Sequence, residues 1–346
     1  MTRAQANGAC VPWFARVPLQ SNELFSTWLA RAALAQGCDP LVLTADLWPG
    51  WRAWIRDLDR GLSQDRLDRV AVRSGLSTDD LERATLRPAS KAIDPDHGQA
   101  AHAAHWPWIL AQGARNRSRL GGIPYCPACL NQDAAPYFRR QWRLAWHIGC
   151  SRHGGLLLDR CPHCSHPTEP HRCVAEDRLI VFCPRCHHDL RSGSTVPALA
   201  EALAFQHLAD EALNADASAW GPGHIGRQDW FRASRRLVSQ RLDSMARTTG
   251  TDAGLQLTRL KFELLSPNDR QLRLVHAWRA LQAPPDNPAL SRARLPATPR
   301  AMEMPASQLS SPNPLPTRRP GQPRAKHLVQ RDWARLLRRL QQHPAP

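Results

Sequence analysis

The stretch that decides the fold runs from residue 126 to residue 164 and reads CPACLNQDAAPYFRRQWRLAWHIGCSRHGGLLLDRCPHC. It contains three pairs of metal-ligand side chains, each pair separated by two residues, and a fourth pair follows at Cys183 and Cys186. Two intervening residues let the backbone turn tightly enough to aim both side chains at one ion. The four pairs therefore predict two four-coordinate metal sites in a region that is poor in long periodic helices.

The candidate ligands are seven cysteines and one histidine: Cys126, Cys129, Cys150, His153, Cys161, Cys164, Cys183 and Cys186. Pairing neighbours along the chain gives the spacings C-x2-C-x20-C-x2-H and C-x2-C-x18-C-x2-C, which are close to those of zinc ribbons. The alternatives are a cross-braced arrangement and one in which the second pair meets the third while the two outer pairs meet each other across some fifty residues. With four protein ligands and no open position in each site, the pattern predicts two structural Zn²⁺ ions rather than catalytic ones.

Side chains near the second site are alternative candidates for its ligands. Cys173 or a nearby histidine could replace one of its four ligands, whereas Cys10 and Cys38 lie far from the block along the chain. We expect the histidines to surround the ligands rather than to bind the ion; they are His163, His166, His171, His187 and His188.

The segment before the cysteine block shows helical periodicity. SNELFSTWLARAALAQG, residues 21–37, predicts one amphipathic helix that packs against the protein. LSQDRLDRVAVRSGLSTDDLERATL, residues 62–86, predicts a helix, a tight turn at Gly75 and a second helix capped by Ser77. This hairpin is similar to a DNA-binding helix-turn-helix. However, nine basic and nine acidic residues between 52 and 96 balance each other, which favours a protein-facing or structural role.

These patterns divide the chain into four predicted parts. Residues 1–120 form an amino-terminal helical module, 121–195 a double zinc-binding module, 196–282 a carboxy-terminal helical module, and 283–346 a Pro-rich linker with a basic amphipathic tail helix. The predicted fold class is mainly α with small β zinc ribbons.

The charge balance points to a polyanionic partner. Lys and Arg exceed Asp and Glu by 16, and the isoelectric point is about 10.5. Aromatic and basic residues interleave between residues 137 and 146, which is typical of nucleic-acid contacts. The alternative is that the aromatics fill the small core between the zinc sites while the arginines are solvated, and for the tryptophans we favour core packing. The candidate nucleic-acid contacts are Arg139, Arg140 and Arg143, together with Arg331, Arg335, Arg338 and Arg339 in the tail.

Several classes of protein are disfavoured by the sequence. The chain has no run of 18 apolar residues and no secretion-signal layout at its start, so we expect a cytoplasmic protein without a membrane partner. We find no carboxylate cluster for a catalytic ion and no G-x-x-x-x-G-K-[ST] phosphate loop. We therefore expect that the protein is not an enzyme.

The residues quoted above resemble the TniQ family of transposition proteins over roughly residues 12–195. The resemblance implies a part in target-site selection for a mobile DNA element. It implies DNA as a partner, recruitment of an AAA+ ATPase regulator and, indirectly, of a transposase. An RNA-guided CRISPR complex and a second copy of the chain are further candidate partners. The alternative is a stand-alone zinc-containing transcription regulator that reads DNA with residues 64–86.

Overall fold

The computed structural model of the protein is mainly helical over the residues that it describes, which are 11–95, 106–112, 121–214, 226–239 and 261–282. All of them belong to one unit, Met1–Leu295. The predicted tail helix and its arginines lie outside the described residues. The described α-helices are α1 Phe25–Ala35, α2 Pro40–Leu47, α3 Gln64–Ser74, α4 Thr78–Arg83, α5 Arg87–Ile93, α6 Pro127–Gln132, α7 Ala200–Asn214, α8 Arg227–Ser239 and α9 Pro267–Gln282.

Helix α1 lies between two hydrophobic cores. Its residues Phe25, Trp28 and Leu29 pack into an amino-terminal core with α2, α3 and α4. The opposite side of the helix contributes Ala30 and Leu34 to a larger core that contains the cysteine block. The sequence predicts one packed face for this helix; the structure buries both, because small alanines let neighbouring segments approach closely.

The predicted hairpin forms as α3, a turn and α4. Gly75 ends α3 in the left-handed conformation with a φ of 77°, which glycine adopts without steric cost. Ser77 caps α4, since its hydroxyl accepts a hydrogen bond from the Asp80 N–H at 3.0 Å. Leu67 and Leu81 are buried in the amino-terminal core, which ties both helices to α1.

The central region, residues 121–195, holds short helical turns and isolated antiparallel bridges rather than longer strands among the described residues. Bridges join Tyr125 to Leu158 and Phe182 to Asp189. A full ribbon arrangement therefore stays a prediction. Large aromatic side chains fill the interior, and Trp142 and Trp146 are almost completely buried, as the core interpretation of the aromatics expects.

Helices α7, α8 and α9 share a hydrophobic core with this central region. The Trp146 ring of the central region lies 5.1 Å from that of Phe231 of α8 and 5.9 Å from that of Trp108, the latter in the edge-on arrangement that aromatic pairs prefer. Arg270 of α9 is buried and donates to the Ala145 carbonyl at 2.6 Å. The carboxy-terminal helices and the centre therefore share one core.

The described helices include none that combines the length and the apolar character needed to span a bilayer.

Candidate metal centres

The first cluster brings together Cys126, Cys129, Cys150 and His153, whose ligand atoms all lie within 4.8 Å of one another. The Nδ1 atom of His153 is 3.5 Å from the sulfur of Cys126 and 3.4 Å from the sulfurs of both Cys129 and Cys150. One ring nitrogen cannot hydrogen-bond to three sulfurs at once. Near-equal distances to all three are, however, expected when the four atoms surround one cation.

These separations fit tetrahedral coordination. With metal–sulfur bonds of about 2.3 Å and metal–nitrogen bonds of about 2.0 Å, a tetrahedron puts two sulfurs about 3.8 Å apart and a sulfur about 3.5 Å from the nitrogen. The sulfurs of Cys129 and Cys150 are 3.5 Å apart. The cluster therefore has the donor set and the size of a closed metal site that could hold zinc.

The second cluster consists of four cysteines, Cys161, Cys164, Cys183 and Cys186, again with all sulfurs within 4.8 Å of one another. The sulfur of Cys161 lies 3.7 Å from that of Cys186, and the sulfur of Cys164 lies 3.6 Å from that of Cys183. These distances match the tetrahedral edge for thiolates. The first pair thus meets the second and the third meets the fourth, the arrangement that sequential pairing predicts.

Three of the four pairs share a backbone turn. The residue one position beyond each pair has a positive φ: 67° at Gly154, 57° at Ser165 and 53° at His187. Its N–H donates to the carbonyl of the first ligand in the pair, which closes the turn around the ion position. The bonds run from Gly154 to Cys150 at 2.8 Å, from Ser165 to Cys161 at 2.9 Å and from His187 to Cys183 at 2.8 Å.

The remaining pair is built differently. Cys126 is the N-cap of α6, and Pro127 is the first residue of that helix, a position that needs no hydrogen-bond donor. Cys129 lies one turn into the helix, so the helical path brings its sulfur beside that of Cys126. The sequence predicts the same turn for all four pairs; the structure uses a helix start for this one.

The surroundings shift the pKa values of these thiols in both directions. Hydrogen bonding with the sulfurs of Cys126 and Cys129 lowers the pKa of Cys150, whereas burial and crowding make other thiols unfavourable as free thiolates. Burial raises the pKa of Cys183 to about 12. Hydrogen bonding with the sulfurs of Cys126 and Cys150, together with burial, raises the pKa of Cys129. A divalent cation at the centre of each cluster would favour the thiolate form, since metal binding releases the thiol protons.

Sequence reasoning missed Gln132, which positions the histidine of the first cluster. Its Oε1 atom lies 2.9 Å from Nε2 of His153, and Nδ1 faces the sulfurs. A metal-bound histidine usually donates its other N–H to an oxygen, which fixes the tautomer and the ring orientation. Gln132 ends α6, three residues after Cys129, and residues three apart lie on the same side of a helix. This spacing in the sequence could have indicated that Gln132 lies beside the ligands of the first cluster.

The other candidate ligands of the second site make different contacts. The sulfur of Cys173 lies 3.8 Å from the Phe182 carbonyl oxygen and is not part of the cluster. Burial raises the pKa of this thiol to about 12. The His163 and His188 rings stack on each other at 5.4 Å. The His171 ring stacks on Trp54 at 5.0 Å, which holds the second site against the amino-terminal helices.

The three central arginines that the sequence singled out for nucleic acid have different environments. Arg143 is 1% exposed, and its guanidinium donates to Asp57 at 2.6 Å and to Asp59 at 2.9 Å. It is therefore removed from any surface that a phosphate could reach. Arg139 is also buried and pairs with Asp133 at 2.8 Å. Arg140 is partly exposed and lacks a carboxylate partner among the described residues.

The buried Arg143 group joins the centre to the amino-terminal helices. Asp59 accepts hydrogen bonds from the backbone N–H and the hydroxyl of Ser26 at 2.7 and 2.8 Å. Ser26 lies in the first turn of α1, where a carboxylate is favourable. Burial raises the pKa of Asp59 to about 7, and the charge of Arg143 opposes that rise. Arg143, one of the interleaved arginines, therefore stabilises the fold by joining the central region to the amino-terminal helices.

Comparison with known protein families gives one match. Residues 14–157 match the model of the TniQ family. All four residues of the first cluster lie within the matched range, and the second cluster follows it. No curated protein matches the chain.

Proposed function

We propose that this chain, a TniQ-family protein by its residues 14–157, is a non-enzymatic transposition protein that helps to select the DNA target site. It would do so by contacting DNA and recruiting an AAA+ ATPase regulator, which brings in the transposase. The observation that carries this proposal is the family match itself. We propose that the protein acts in the cytoplasm.

The metal clusters support an adaptor role. We propose that each holds one Zn²⁺ ion, with Cys126, Cys129, Cys150 and His153 as one ligand set and Cys161, Cys164, Cys183 and Cys186 as the other. Four protein ligands leave no position for a substrate or an activated water. The ions would then stabilise the surfaces that partners contact rather than perform chemistry.

Two exposed arginines support a DNA contact beside the second cluster. Arg185 lies between the ligands Cys183 and Cys186, and Arg178 follows Asp177, whose carboxylate is 3.3 Å from the His187 ring. Both are exposed, and no carboxylate pairs with either of them in the described part of the chain. Arginines without acidic partners can neutralise phosphates.

Salt titration of DNA binding tests this contact in the full-length protein. The double variant Arg178→Gln and Arg185→Gln should lower the slope of log affinity against log salt by about 2, since each phosphate contact contributes about 0.9. The matched control is Arg83→Gln on α4, whose guanidinium already pairs with Asp80. An unchanged slope in the double variant would exclude these two arginines from the DNA contact.

Recovery of partners tests the wider role. Affinity purification of the full chain from its native host, followed by mass spectrometry, should recover an AAA+ ATPase regulator. Co-recovery of CRISPR effector subunits would identify RNA-guided targeting, and their absence beside a recovered ATPase would favour direct DNA recognition. Reconstituted transposition that proceeds equally well without this protein would contradict the proposal.

The alternative of a stand-alone transcription regulator receives less support. In a DNA-binding helix-turn-helix the start of the second helix contacts base edges. Here the first turn of that helix, α4, contains Asp79 and Asp80, whose charges repel phosphates. Footprinting without an ATPase present would distinguish the two, because a regulator protects a defined operator by itself.

A further inference from the structure

A cavity of about 400 Å³ lies where α5, the short helical turn Arg140–Arg143 and the end of α7 meet. None of the residues that line it belongs to either metal cluster. Its walls combine one cationic side chain, one carboxylate and several apolar side chains. The two metal clusters do not explain why these side chains lie together.

Arg140 is the cationic side chain of this cavity, and it has no carboxylate partner among the described residues. Its Nε donates to the Asn22 side-chain oxygen at 3.2 Å, and no carboxylate in the described residues pairs with its terminal nitrogens. Its neighbours Arg139 and Arg143 both bind carboxylates. Burial lowers the pKa of Arg140, although a guanidinium remains charged at neutral pH. A partly buried cation that lines a cavity favours an anionic group on the ligand.

Asp210 provides a hydrogen-bond acceptor in the same cavity. Its Oδ1 accepts from Trp146 Nε1 at 2.8 Å and lies 2.8 Å from His147 Nε2, which fixes the carboxylate in place. Oδ2 makes no hydrogen bond within the described residues, and the side chain is 32% exposed. A fixed carboxylate with an available oxygen favours an N–H donor on the ligand.

Apolar side chains line the same cavity as these two polar groups. Pro88, Ala89 and Ala92 of α5 form one wall, and Leu144 and Leu213 also line the cavity. Ligand sites usually combine such apolar walls with a few fixed polar groups, and a planar ring can pack against them. The cavity volume lies in the range of small-ligand sites.

We propose that this cavity binds one unstacked nucleotide, with its phosphate at Arg140 and an amino group of its base at Asp210. Single-stranded nucleic acid is read in this way, by unstacked bases whose edges reach side chains in a pocket. The net charge of +16 favours an anionic ligand. The carboxylate of Asp210 repels the side chains of an acidic peptide but can accept a hydrogen bond from a base amino group. Cytosine, adenine and guanine carry amino groups and should bind better than uracil.

The test uses the full-length, zinc-loaded protein and nucleoside monophosphates. Saturation-transfer NMR titrations should show binding of cytidine monophosphate, weaker binding of uridine monophosphate, and weaker binding still of inorganic phosphate. Arg140→Gln should weaken binding of cytidine monophosphate about tenfold or more, since it removes a charge-assisted hydrogen bond. Ala92→Trp should block binding by filling the cavity.

Lys91→Gln is the matched control, because it removes one positive charge from the exposed side of α5 without lining the cavity. Its affinity for cytidine monophosphate should stay close to that of the unmodified protein. A single-stranded decanucleotide, followed by anisotropy, distinguishes a strand ligand from a free nucleotide. Tighter binding of the strand that is lost in Arg140→Gln would identify the strand as the ligand.

Several results would overturn the proposal. They are unchanged nucleotide affinity in both cavity variants, inorganic phosphate binding as tightly as the nucleotides, and displacement of cytidine monophosphate by an acetylated glutamate peptide at lower concentration. Absence of nucleotide binding to zinc-loaded, folded protein would also exclude it. The measurement includes no transposition partner, so its failure would leave the proposed adaptor role unaffected.

Discussion

The two metal clusters have nearly the same ligand geometry but different surroundings. In the first cluster, the three cysteines are at most 2% exposed and contact the large core, and all four residues lie within the TniQ match. In the second cluster, Cys161 and Cys183 belong to the same large core, but Cys164 and Cys186 are partly exposed, and all four residues follow the match. Both clusters therefore contact the core, and the second also reaches the protein surface.

This difference predicts unequal contributions to folding. A metal ion inside a core stabilises every side chain packed around it, whereas an ion near the surface stabilises its own loops. The contacts between the second-cluster region and the amino-terminal helices include the His171 stack on Trp54 and a 2.7 Å hydrogen bond from Ala175 N–H to Asp39. We expect the first cluster to be required for the fold and the second to be separable from it.

The largest effect is expected at the first cluster. Cys129→Ser removes a fully buried ligand and should abolish cooperative folding, because structural zinc supplies roughly 10 kcal/mol or more in small domains. Circular dichroism and thermal unfolding measure this. Cys173→Ser is the control, since it changes a buried thiol outside both clusters, and it should retain the unfolding transition. Cooperative unfolding of Cys129→Ser near the wild-type temperature would remove the basis for a core role.

A smaller, local effect is expected at the second cluster. Cys186→Ser changes a partly exposed ligand and should reduce bound zinc from two ions to one while the aromatic core survives. Native mass spectrometry counts the ions, and near-ultraviolet circular dichroism reports the packing of Trp142 and Trp146. Loss of the aromatic signal in this variant would show that the two clusters fold as one unit.

A chelator should remove zinc from the two clusters at different rates. A competing chelator reaches the partly exposed sulfurs of Cys164 and Cys186 more easily than the buried sulfurs of Cys126 and Cys129. Zinc release followed with a metallochromic dye should therefore show two phases of equal size, the faster of which is absent in Cys186→Ser. A single phase in the unmodified protein would argue against the difference in access.

The smallest effect concerns the orientation of one ligand. Gln132→Ala removes the oxygen that contacts Nε2 of His153 and should weaken zinc binding at the first cluster about 10-fold to 100-fold. Competition with a chelator of known affinity measures the change. Gln64→Ala on α3 is the control, because that side chain is exposed and hydrogen-bonds to Asp68 on the same helix, away from both metal clusters. Equal zinc affinities in the two variants would exclude the positioning role of Gln132.

The cluster geometry could be anticipated because local spacing determines it. Two residues between ligands allow one compact turn or one turn of helix, and both outcomes bring the side chains together. The hairpin of α3 and α4 was predictable for the same reason, since Gly75 and Ser77 act on their immediate neighbours. Local patterns were sufficient wherever the decisive contacts lie close in the chain.

Long-range contacts were not predictable in this way. Arg143 pairs with Asp57 and Asp59, which are more than eighty residues away, so its sequence context of aromatics and arginines indicated a nucleic-acid contact instead. The second buried face of α1 was not predictable for the same reason, because the residues that pack against it come from the central region. The division into four modules stays a prediction, and the described residues add that the central region and α7 to α9 share a core.

The central claim is that two closed, sulfur-rich metal sites brace residues 14–157, which match the TniQ model, and the region that follows them. Zinc quantification combined with X-ray absorption spectroscopy on the full-length protein tests it most directly. The account predicts two zinc ions per chain, with an average first shell of between three and four sulfurs at about 2.3 Å and the remainder nitrogen. Fewer than two ions in folded protein, or a shell dominated by oxygen, would contradict it.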